Sequence, residues 1–243
     1  FLEVYEPLPR QGPGNRSCAE SALGLCAGLP AQPRVLDLGC GAGGQTLQLA
    51  ELTAGSIVAI DRHVPSIERL RAKLAERGLA DRVVALVGDM AHPGQPPESF
   101  DLVWSEGAVY NIGIELALDV SAQLLRPGGC LAFTDAVWRK EDPPPEVKAS
   151  FDDYPTMGTV ADVLAMIDRS AFSLLGHFTL SDEAWWDDFY TPMERRIEAL
   201  RRKYSQDAEA LAVLEQLATE PERHRRHAAY YAYEFFIARR GAV

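Results

Sequence analysis

The sequence predicts a doubly wound α/β fold, in which a largely parallel sheet is covered by helices on both faces. Short apolar runs alternate with amphipathic helical patterns through the first half of the chain, as in consecutive β-α-β units. Most of these runs are continuously apolar, which is typical of strands covered on both sides. The 243 residues, 47% of them hydrophobic, are enough to bury the core of one domain.

The first half contains five predicted strands and three helices. The first strand runs into glycines, the second helix carries Ile67, Leu70 and Leu74 on one face and stops at Gly78, and the third helix stops before Pro127. The predicted strands are Arg34 to Leu38, Ser56 to Ile60, Arg82 to Val87, Phe100 to Ser105 and Cys130 to Thr134, and the predicted helices are Gln45 to Leu52, Pro65 to Arg77 and Ile114 to Leu125.

A charged, proline-rich stretch, Glu141 to Pro145, interrupts this alternation, and the second half is mainly helical. The predicted helices are Val160 to Arg169, Glu183 to Tyr204 and Ala208 to Leu217, and the predicted strands are Phe172 to Leu180 and Ala229 to Ala238. We therefore predict one domain over residues 1–243, made of an N-terminal helical cap (1–30), a ligand-binding core (31–140), helical insertions with a sixth strand (141–228) and a closing strand (229–243).

Charge and cysteine content limit the classes of partner. The formal net charge of -11 disfavours nucleic acid, because binding to phosphates depends on lysine and arginine, so a small-molecule partner is predicted. The four cysteines lack metal-ligand spacing, and we read the histidines and arginines near Glu222 as a charged surface helix, so no metal is predicted. No apolar run is long enough to span a bilayer, which predicts a cytoplasmic protein that does not bind membranes. A homodimer remains an open alternative.

The glycine-rich segment from Asp37 to Gly44 predicts a ligand-binding turn between a strand and a helix. Glycines let a ligand approach the backbone, and the amides at a helix start favour a polar group. The spacing alone fits both a dinucleotide fingerprint and a G-x-G-x-G pattern. Asp61, at the end of the second strand, can accept hydrogen bonds from ribose hydroxyls and supports a nucleoside of either kind. Asp89 and Met90, after the third strand, suit an adenine and favour the second pattern.

Five motifs occur in order: LDLGCGAGG, AID, GDM, FDLVWSEGAVYNIG and LLRPGG. This set resembles class I S-adenosylmethionine-dependent methyltransferases, and most of all the small-molecule branch that includes the ubiquinone and menaquinone methyltransferases. The resemblance covers about Arg34 to Thr134. It implies a Rossmann-like sheet of seven strands, mostly parallel with one antiparallel strand near the C-terminus, and S-adenosylmethionine as cofactor, with S-adenosylhomocysteine as product. N-P-P-Y is absent, which argues against methylation of bases or glutamine.

The resemblance also implies roles for individual residues. The glycines would pass under the methionine part of the cofactor, Asp61 would hold the ribose, Asp89 and Met90 would frame the adenine, and the segment around Gly14 would lie near the carboxylate. The predicted cofactor-binding residues are Gly14, Arg16, Asp37, Gly39, Gly41, Gly43, Asp61, Arg62, Asp89, Met90, Ser105 and Glu106.

Methyl transfer from a sulfonium is an in-line displacement that depends on alignment and exclusion of water. A base matters only for a protonated acceptor, and Glu106 and His177 are the predicted catalytic residues, with Asp135 as a further candidate. Aromatic and polar residues predict an acceptor pocket formed by Tyr5, Tyr110, Asn111, Trp138 and Trp185. Two alternatives are a nicotinamide-dependent oxidoreductase that uses the same glycines and a non-catalytic protein that binds S-adenosylmethionine.

Overall fold

The structure is a computed structural model that describes residues 2–241. Residue 1 of the predicted cap and residues 242–243 of the predicted closing segment lie outside the described residues. Within the described part of the chain, no helix has both the length and the apolar character needed to cross a bilayer.

One mixed sheet of seven strands organises residues 2–241. The strands are Arg34–Leu38 (β1), Ser56–Asp61 (β2), Val83–Val87 (β3), Phe100–Ser105 (β4), Leu125–Trp138 (β5), Phe172–Thr179 (β6) and Tyr231–Arg240 (β7). Their order is β3-β2-β1-β4-β5-β7-β6. The pairs from β3 to β5 are parallel, and β7 runs antiparallel to both of its neighbours. The predicted fold class, including one antiparallel strand near the C-terminus, is confirmed.

Helices cover both faces of this sheet. They are Leu2–Tyr5 (α1), Arg16–Leu25 (α2), Gly44–Leu52 (α3), Val64–Glu76 (α4), Ile114–Leu124 (α5), Pro145–Lys148 (α6), Val160–Asp168 (α7), Glu183–Trp185 (α8), Thr191–Lys203 (α9) and Ala208–His227 (α10), with 3-10 turns at Val109–Asn111 and Ala149–Phe151. One core packs α2, α3 and α4 against the sheet, and a second packs α5 and α7 against the opposite face. The predicted inner face of α4 is confirmed, since Ile67, Leu70 and Leu74 are buried.

Strand β5 is much longer than predicted. The prediction covers only Cys130 to Thr134, whereas the strand runs from Leu125 to Trp138. Its antiparallel pairing with β7 continues from Cys130 opposite Arg239 to Trp138 opposite Tyr231, and this pairing keeps the second half extended. The partner lies about one hundred residues away in the sequence, so no local pattern indicates it.

The single helix predicted from Glu183 to Tyr204 is wrong, because α8 and α9 are separated by a π-helical turn at Trp186–Tyr190. Pro192 lacks an amide hydrogen and cannot donate to the carbonyl of Asp188, four residues earlier. That carbonyl instead accepts a hydrogen bond from the backbone of Arg10, with N···O 3.3 Å. The irregular turn therefore connects the helical additions to the N-terminal segment.

Helix α10 continues ten residues beyond its predicted end at Leu217 and passes through Pro221. His224, in its last part, is only 2% exposed and stacks on Trp185 with ring centroids 4.1 Å apart. The prediction of a charged surface helix is therefore wrong for this residue. A third core of mainly aromatic residues joins α10 to α9, α8 and α1.

Candidate functional site

The glycine turn between β1 and α3 has a backbone that few side chains tolerate. Gly39, Gly41 and Gly43 have φ values of 74°, 51° and 84°, in the left-handed region. A Cβ atom on Gly39 would lie 2.3 Å from the Cβ of Ala108, which follows β4. The turn is therefore both bent and closely packed, which explains why glycine occupies these positions.

Asp61 connects this turn to the end of β2. One carboxylate oxygen accepts a hydrogen bond from the Gly41 backbone N–H at 2.8 Å, and the other accepts from the His63 N–H at 2.8 Å. Each oxygen of an ionised carboxylate has a further lone pair available. The side chain is therefore held in a fixed orientation without exhausting its capacity to accept hydrogen bonds.

A cavity of about 760 Å³ opens next to the turn. It is bordered by the carboxyl ends of β1, β2 and β4, by the N-terminal segment and by α10. The sequence-predicted residues that line it are Tyr5, Gly39, Gly41, Asp61, Arg62, Asp89, Met90, Glu106, Tyr110, Asn111 and Trp185. The carboxyl ends of β1, β2 and β4 thus meet that of β3, which is followed by Asp89 and Met90, around one space, as expected where parallel strands end side by side.

Seven sequence-predicted residues are not part of the lining. They are Gly14, Arg16, Asp37, Gly43, Ser105, Trp138 and His177. Two of them, Asp37 and Ser105, stabilise the glycine turn. The buried Asp37 accepts a hydrogen bond from Thr46 at 2.6 Å, and the Ser105 hydroxyl donates to the Leu38 carbonyl at 2.8 Å. Burial raises the pKa of Asp37 to about 7.

Arg16 is exposed and directed away from the cavity. It forms ion pairs with Glu20 at 2.8 Å and Glu51 at 2.7 Å. Arg10, in the same N-terminal segment, does line the cavity, although it is only 5% exposed. The sequence indicates no special role for Arg10, because a single arginine between a proline and a glutamine carries no pattern.

Glu106 is engaged in two strong contacts. Arg10 Nη2 donates to one of its carboxylate oxygens at 2.6 Å, and Trp104 Nε1 donates to the other at 2.8 Å. The ion pair is buried, with side chains 5% and 2% exposed. Both oxygens of this carboxylate therefore already accept hydrogen bonds from fixed donors within the protein. The geometry therefore does not support the predicted role of Glu106 as a general base and favours a structural one.

His177 lies on β6, outside the cavity lining. Its Nδ1 is 2.5 Å from Glu234, whose other oxygen accepts a hydrogen bond from Thr179. The placement contradicts a catalytic contact with a ligand in the cavity. Trp138, predicted as an acceptor-pocket residue, does not line the cavity either. Its ring packs on Phe151, with ring centroids 5.3 Å apart.

Asp135, the further candidate base, is buried at 1% exposure on β5 and does not line the cavity. The Tyr154 hydroxyl donates to one carboxylate oxygen at 2.5 Å, and the other oxygen has no hydrogen-bond partner among the described residues. Burial raises the pKa of Asp135 to about 7.

Replacement of Asp135 with Asn is expected to make the protein less sensitive to pH. An aspartate in the unfolded chain titrates near ~3.9. Because the folded-state pKa is raised, Asp135 favours folding most below pH ~4, and its contribution is lost as the pH rises to about 7. The unfolding free energy of Asp135→Asn relative to the native protein should therefore increase across this window and level off above it. Urea denaturation at a series of pH values measures the difference.

The matched control for this measurement is Asp142→Asn, which changes an exposed aspartate in the loop after β5. We expect its unfolding free energy to follow the native pH profile. A parallel profile for Asp135→Asn would contradict the predicted proton uptake by the buried carboxyl.

Helix α10 supplies lining residues that the sequence analysis did not include. They are Gln216, Leu217, Thr219, Glu220 and Arg223. Glu220 accepts hydrogen bonds from the hydroxyls of Tyr5 at 2.6 Å and Tyr190 at 3.3 Å. The predicted helix ends at Leu217, whereas α10 continues through Pro221, and residues on both sides of the proline line the cavity.

A comparison with protein families bears on what this site does. Residues 35–129 match the family model of a methyltransferase domain. Over these residues the chain resembles a methyltransferase domain. The match begins in β1 and ends in β5, so it contains the glycine turn, Asp61 and Asp89.

The chain also has curated relatives. It is 31% identical over 114 residues to a sterol 24-C-methyltransferase of Pneumocystis carinii, a match that covers 46% of this chain and 30% of that protein. It is 33% identical over 115 residues to a dimethylglycine N-methyltransferase of Parasynechococcus marenigrum, covering 46% of this chain and 41% of that protein. The chain thus spans less than half the length of these two relatives.

A solved structure shows the same fold over nearly the whole chain. A SAM-dependent methyltransferase from Thiobacillus denitrificans, in complex with S-adenosyl-L-homocysteine, superposes with a TM-score of 0.83. The match covers 98% of this chain and 96% of that one, at 22% sequence identity. The helical additions after the methyltransferase domain, including α10, therefore belong to a fold found in another protein.

Proposed function

We propose that the chain binds S-adenosylmethionine at the glycine turn and transfers its methyl group to a small-molecule acceptor in the same cavity. The observation that carries the proposal is that Gly41, Asp61 and Asp89 line one cavity with the aromatic residues of the helical additions. The cofactor supplies a methyl group on a positively charged sulfur. The family match and the methyltransferase relatives favour this function over that of a nicotinamide-dependent oxidoreductase.

The residues present fit such a cofactor. The backbone at Gly39 and Gly41 exposes a surface without side chains, which allows a ligand to lie against it. Asp61 is fixed by two backbone donors and can still accept from the two hydroxyls of a ribose. Asp89 and Met90 line the next part of the cavity, where the sequence analysis expects the adenine.

The chain contributes mainly alignment and exclusion of water. Aromatic rings from several elements enclose the space beyond the turn and can hold an acceptor against the methyl group. Glu106 forms an ion pair with Arg10 and so holds the N-terminal segment over the site. The names of the two relatives give a sterol and dimethylglycine as their methyl acceptors. Both are small molecules, which supports a small-molecule acceptor for this chain. The four free, buried cysteines support a reducing, cytoplasmic location as part of this proposal.

Replacement of Asp61 with Ala is expected to weaken the binding of S-adenosylhomocysteine by one to two orders of magnitude. The expected loss is about 1.5–3 kcal/mol, because the change removes charge-assisted hydrogen bonds to the ribose. Isothermal titration calorimetry of the native protein and the variant measures the affinity, and NAD is titrated in parallel. Asp81→Ala, in the exposed loop before β3, is the control and should bind normally. Unchanged affinity of Asp61→Ala would refute the ribose role, and binding of NAD alone would overturn the proposed cofactor.

Turnover separates an enzyme from a protein that only binds the cofactor. We expect the native protein to convert S-adenosylmethionine to S-adenosylhomocysteine when a pool of small-molecule metabolites is supplied, as measured by chromatography. Tight binding without conversion in any pool would indicate the non-catalytic alternative.

A further inference from the structure

One part of the cavity is built by elements outside the methyltransferase domain. We call it the acceptor end and define it by Tyr5, Trp185, Tyr190, Glu220, Tyr231 and Tyr233. These residues come from α1, α8, the π-helical turn, α10 and β7. Tyr233 also lies close to the loop after β4. A Cβ atom built on Gly107 would be 3.6 Å from the Tyr233 ring. Five of the six residues are aromatic, and the sixth is a carboxylate.

Glu220 is half-buried among these rings. Its two carboxylate oxygens accept hydrogen bonds from Tyr5 at 2.6 Å and Tyr190 at 3.3 Å. Among residues 2–241, no arginine or lysine lies within ion-pair distance of Glu220. Arg223, one turn further along α10, also lines the cavity and donates to Thr219 at 3.2 Å. The phenols hold the carboxylate in place, but they do not neutralise it.

The neighbouring tyrosines are affected by this negative charge. Burial and the nearby Glu220 carboxylate raise the pKa of both Tyr5 and Tyr190 above the ordinary range of a phenol. These phenols therefore stay neutral and act as hydrogen-bond donors. The acceptor end thus combines aromatic rings with the Glu220 carboxylate, which has no ion-pair partner within residues 2–241.

This combination suits a ligand that carries positive charge. Cations are attracted to the faces of aromatic rings, and the attraction is stronger where water is excluded. A neutral alcohol or alkene would gain little from the charge of Glu220 and would have to desolvate it. When an amine accepts a methyl group, the positive charge moves from sulfur to nitrogen, so groups that stabilise a cation at the acceptor end lower the energy of the transition state.

We infer that the acceptor is a small amine, whose nitrogen lies beside Glu220 among the rings of the acceptor end. This inference rests on the proposed function. The lone pair of the nitrogen forms the new N–C bond, the C–S bond breaks, and its electron pair stays on sulfur. An amine that arrives protonated first loses that proton to solvent, which frees the lone pair. The free base of a tertiary amine then becomes a quaternary ammonium ion without loss of a further proton, whereas that of a secondary amine releases one more proton to solvent.

The test compares two molecules of nearly equal shape. Choline carries a quaternary ammonium group, and 3,3-dimethyl-1-butanol has a neutral carbon in the same place. Each is titrated by calorimetry into the protein saturated with S-adenosylhomocysteine. We expect choline to bind at least about tenfold more tightly than the neutral analogue, in line with cation recognition by aromatic rings and a carboxylate. Equal affinities, or no measurable binding of choline, would overturn the inference.

Two variants test whether Glu220 causes the preference for choline. Glu220→Gln removes the charge but keeps one oxygen that can accept from one of the two tyrosine hydroxyls, while its NH2 group can donate to the other hydroxyl oxygen. We expect this variant to lose most of the preference for choline. Glu222→Gln is the matched control on the same helix, since this glutamate pairs with Arg225 and Arg226 outside the cavity lining, and it should keep the preference. If Glu220→Gln kept the preference for choline over the neutral analogue, the aromatic rings alone would cause that preference. This result would contradict the role of Glu220.

The first titration also separates this inference from the proposed function. If S-adenosylhomocysteine does not bind, the proposed function fails. If it binds and choline shows no advantage, only the amine acceptor is wrong. Thermal unfolding midpoints close to that of the native protein verify that both variants are folded.

Discussion

Replacement of Arg10 with Met is expected to lower the free energy of unfolding by about 3–5 kcal/mol, because it leaves Glu106 buried without its partner. Met fills the space of the aliphatic part of arginine and lacks only the guanidinium group, so the loss reports mainly the charged head. The hydrogen bond from Trp104 to Glu106 remains. Urea denaturation followed by far-ultraviolet circular dichroism measures the change.

A second substitution separates the buried charge from the lost packing. In Arg10→Met combined with Glu106→Gln, no charge is left unpaired and Trp104 keeps an acceptor, so most of the lost stability should return. Arg16→Met removes an arginine from an exposed pair and should change stability little. If Arg10→Met cost no more than Arg16→Met, or if the double variant were as unstable as the single one, the buried pair would not hold the N-terminal segment in place.

Replacement of Gly39 with Ala is expected to weaken the binding of S-adenosylhomocysteine by at least about 100-fold and to destabilise the fold. A residue with a Cβ at φ 74° costs about 1–2 kcal/mol. The new Cβ would also lie 2.3 Å from the Cβ of Ala108, and neither atom is the end of a flexible side chain. Such overpacking adds about 1–3 kcal/mol. The turn must therefore move, and the surface for the ligand moves with it.

Gly78→Ala is the control for this change. Gly78 has a φ of 65° at the end of α4, and nothing lies within 4 Å of a Cβ built there. Its replacement should cost only the backbone strain and leave the affinity unchanged. Calorimetry and urea denaturation of both variants give the comparison. Equal losses of stability, with the affinity of Gly39→Ala intact, would show that the turn adapts to a side chain.

The parallel half of the fold could be predicted from the sequence because its signals are local. Each strand from β1 to β4 is a short apolar run within one or two residues of its predicted bounds. The shared cavity next to Gly41, Asp61 and Asp89 follows from the same prediction, since parallel strands end at one edge of the sheet. The roles of these residues toward a ligand stay predictions.

The parts that could not be predicted depend on contacts distant in the sequence. Arg10 has meaning only because the chain brings it to Glu106, 96 residues away. The end of α10 is predicted as a charged surface helix, whereas His224 is buried there against Trp185 and Tyr190. Local propensity is a weak guide where tertiary packing decides the structure. Glu220, on the same helix, was missed for that reason.

The position of β7 between β5 and β6 has a consequence for biosynthesis. This strand follows α10 in the sequence, so a nascent chain that has left the ribosome only as far as α10 contains β5 and β6 with no partner between them. Two apolar strand edges are then open to other chains, a situation that favours aggregation. Strand β7 also carries Tyr231 and Tyr233. A ligand that binds beside these residues can therefore stabilise the protein against aggregation only after β7 has been synthesised.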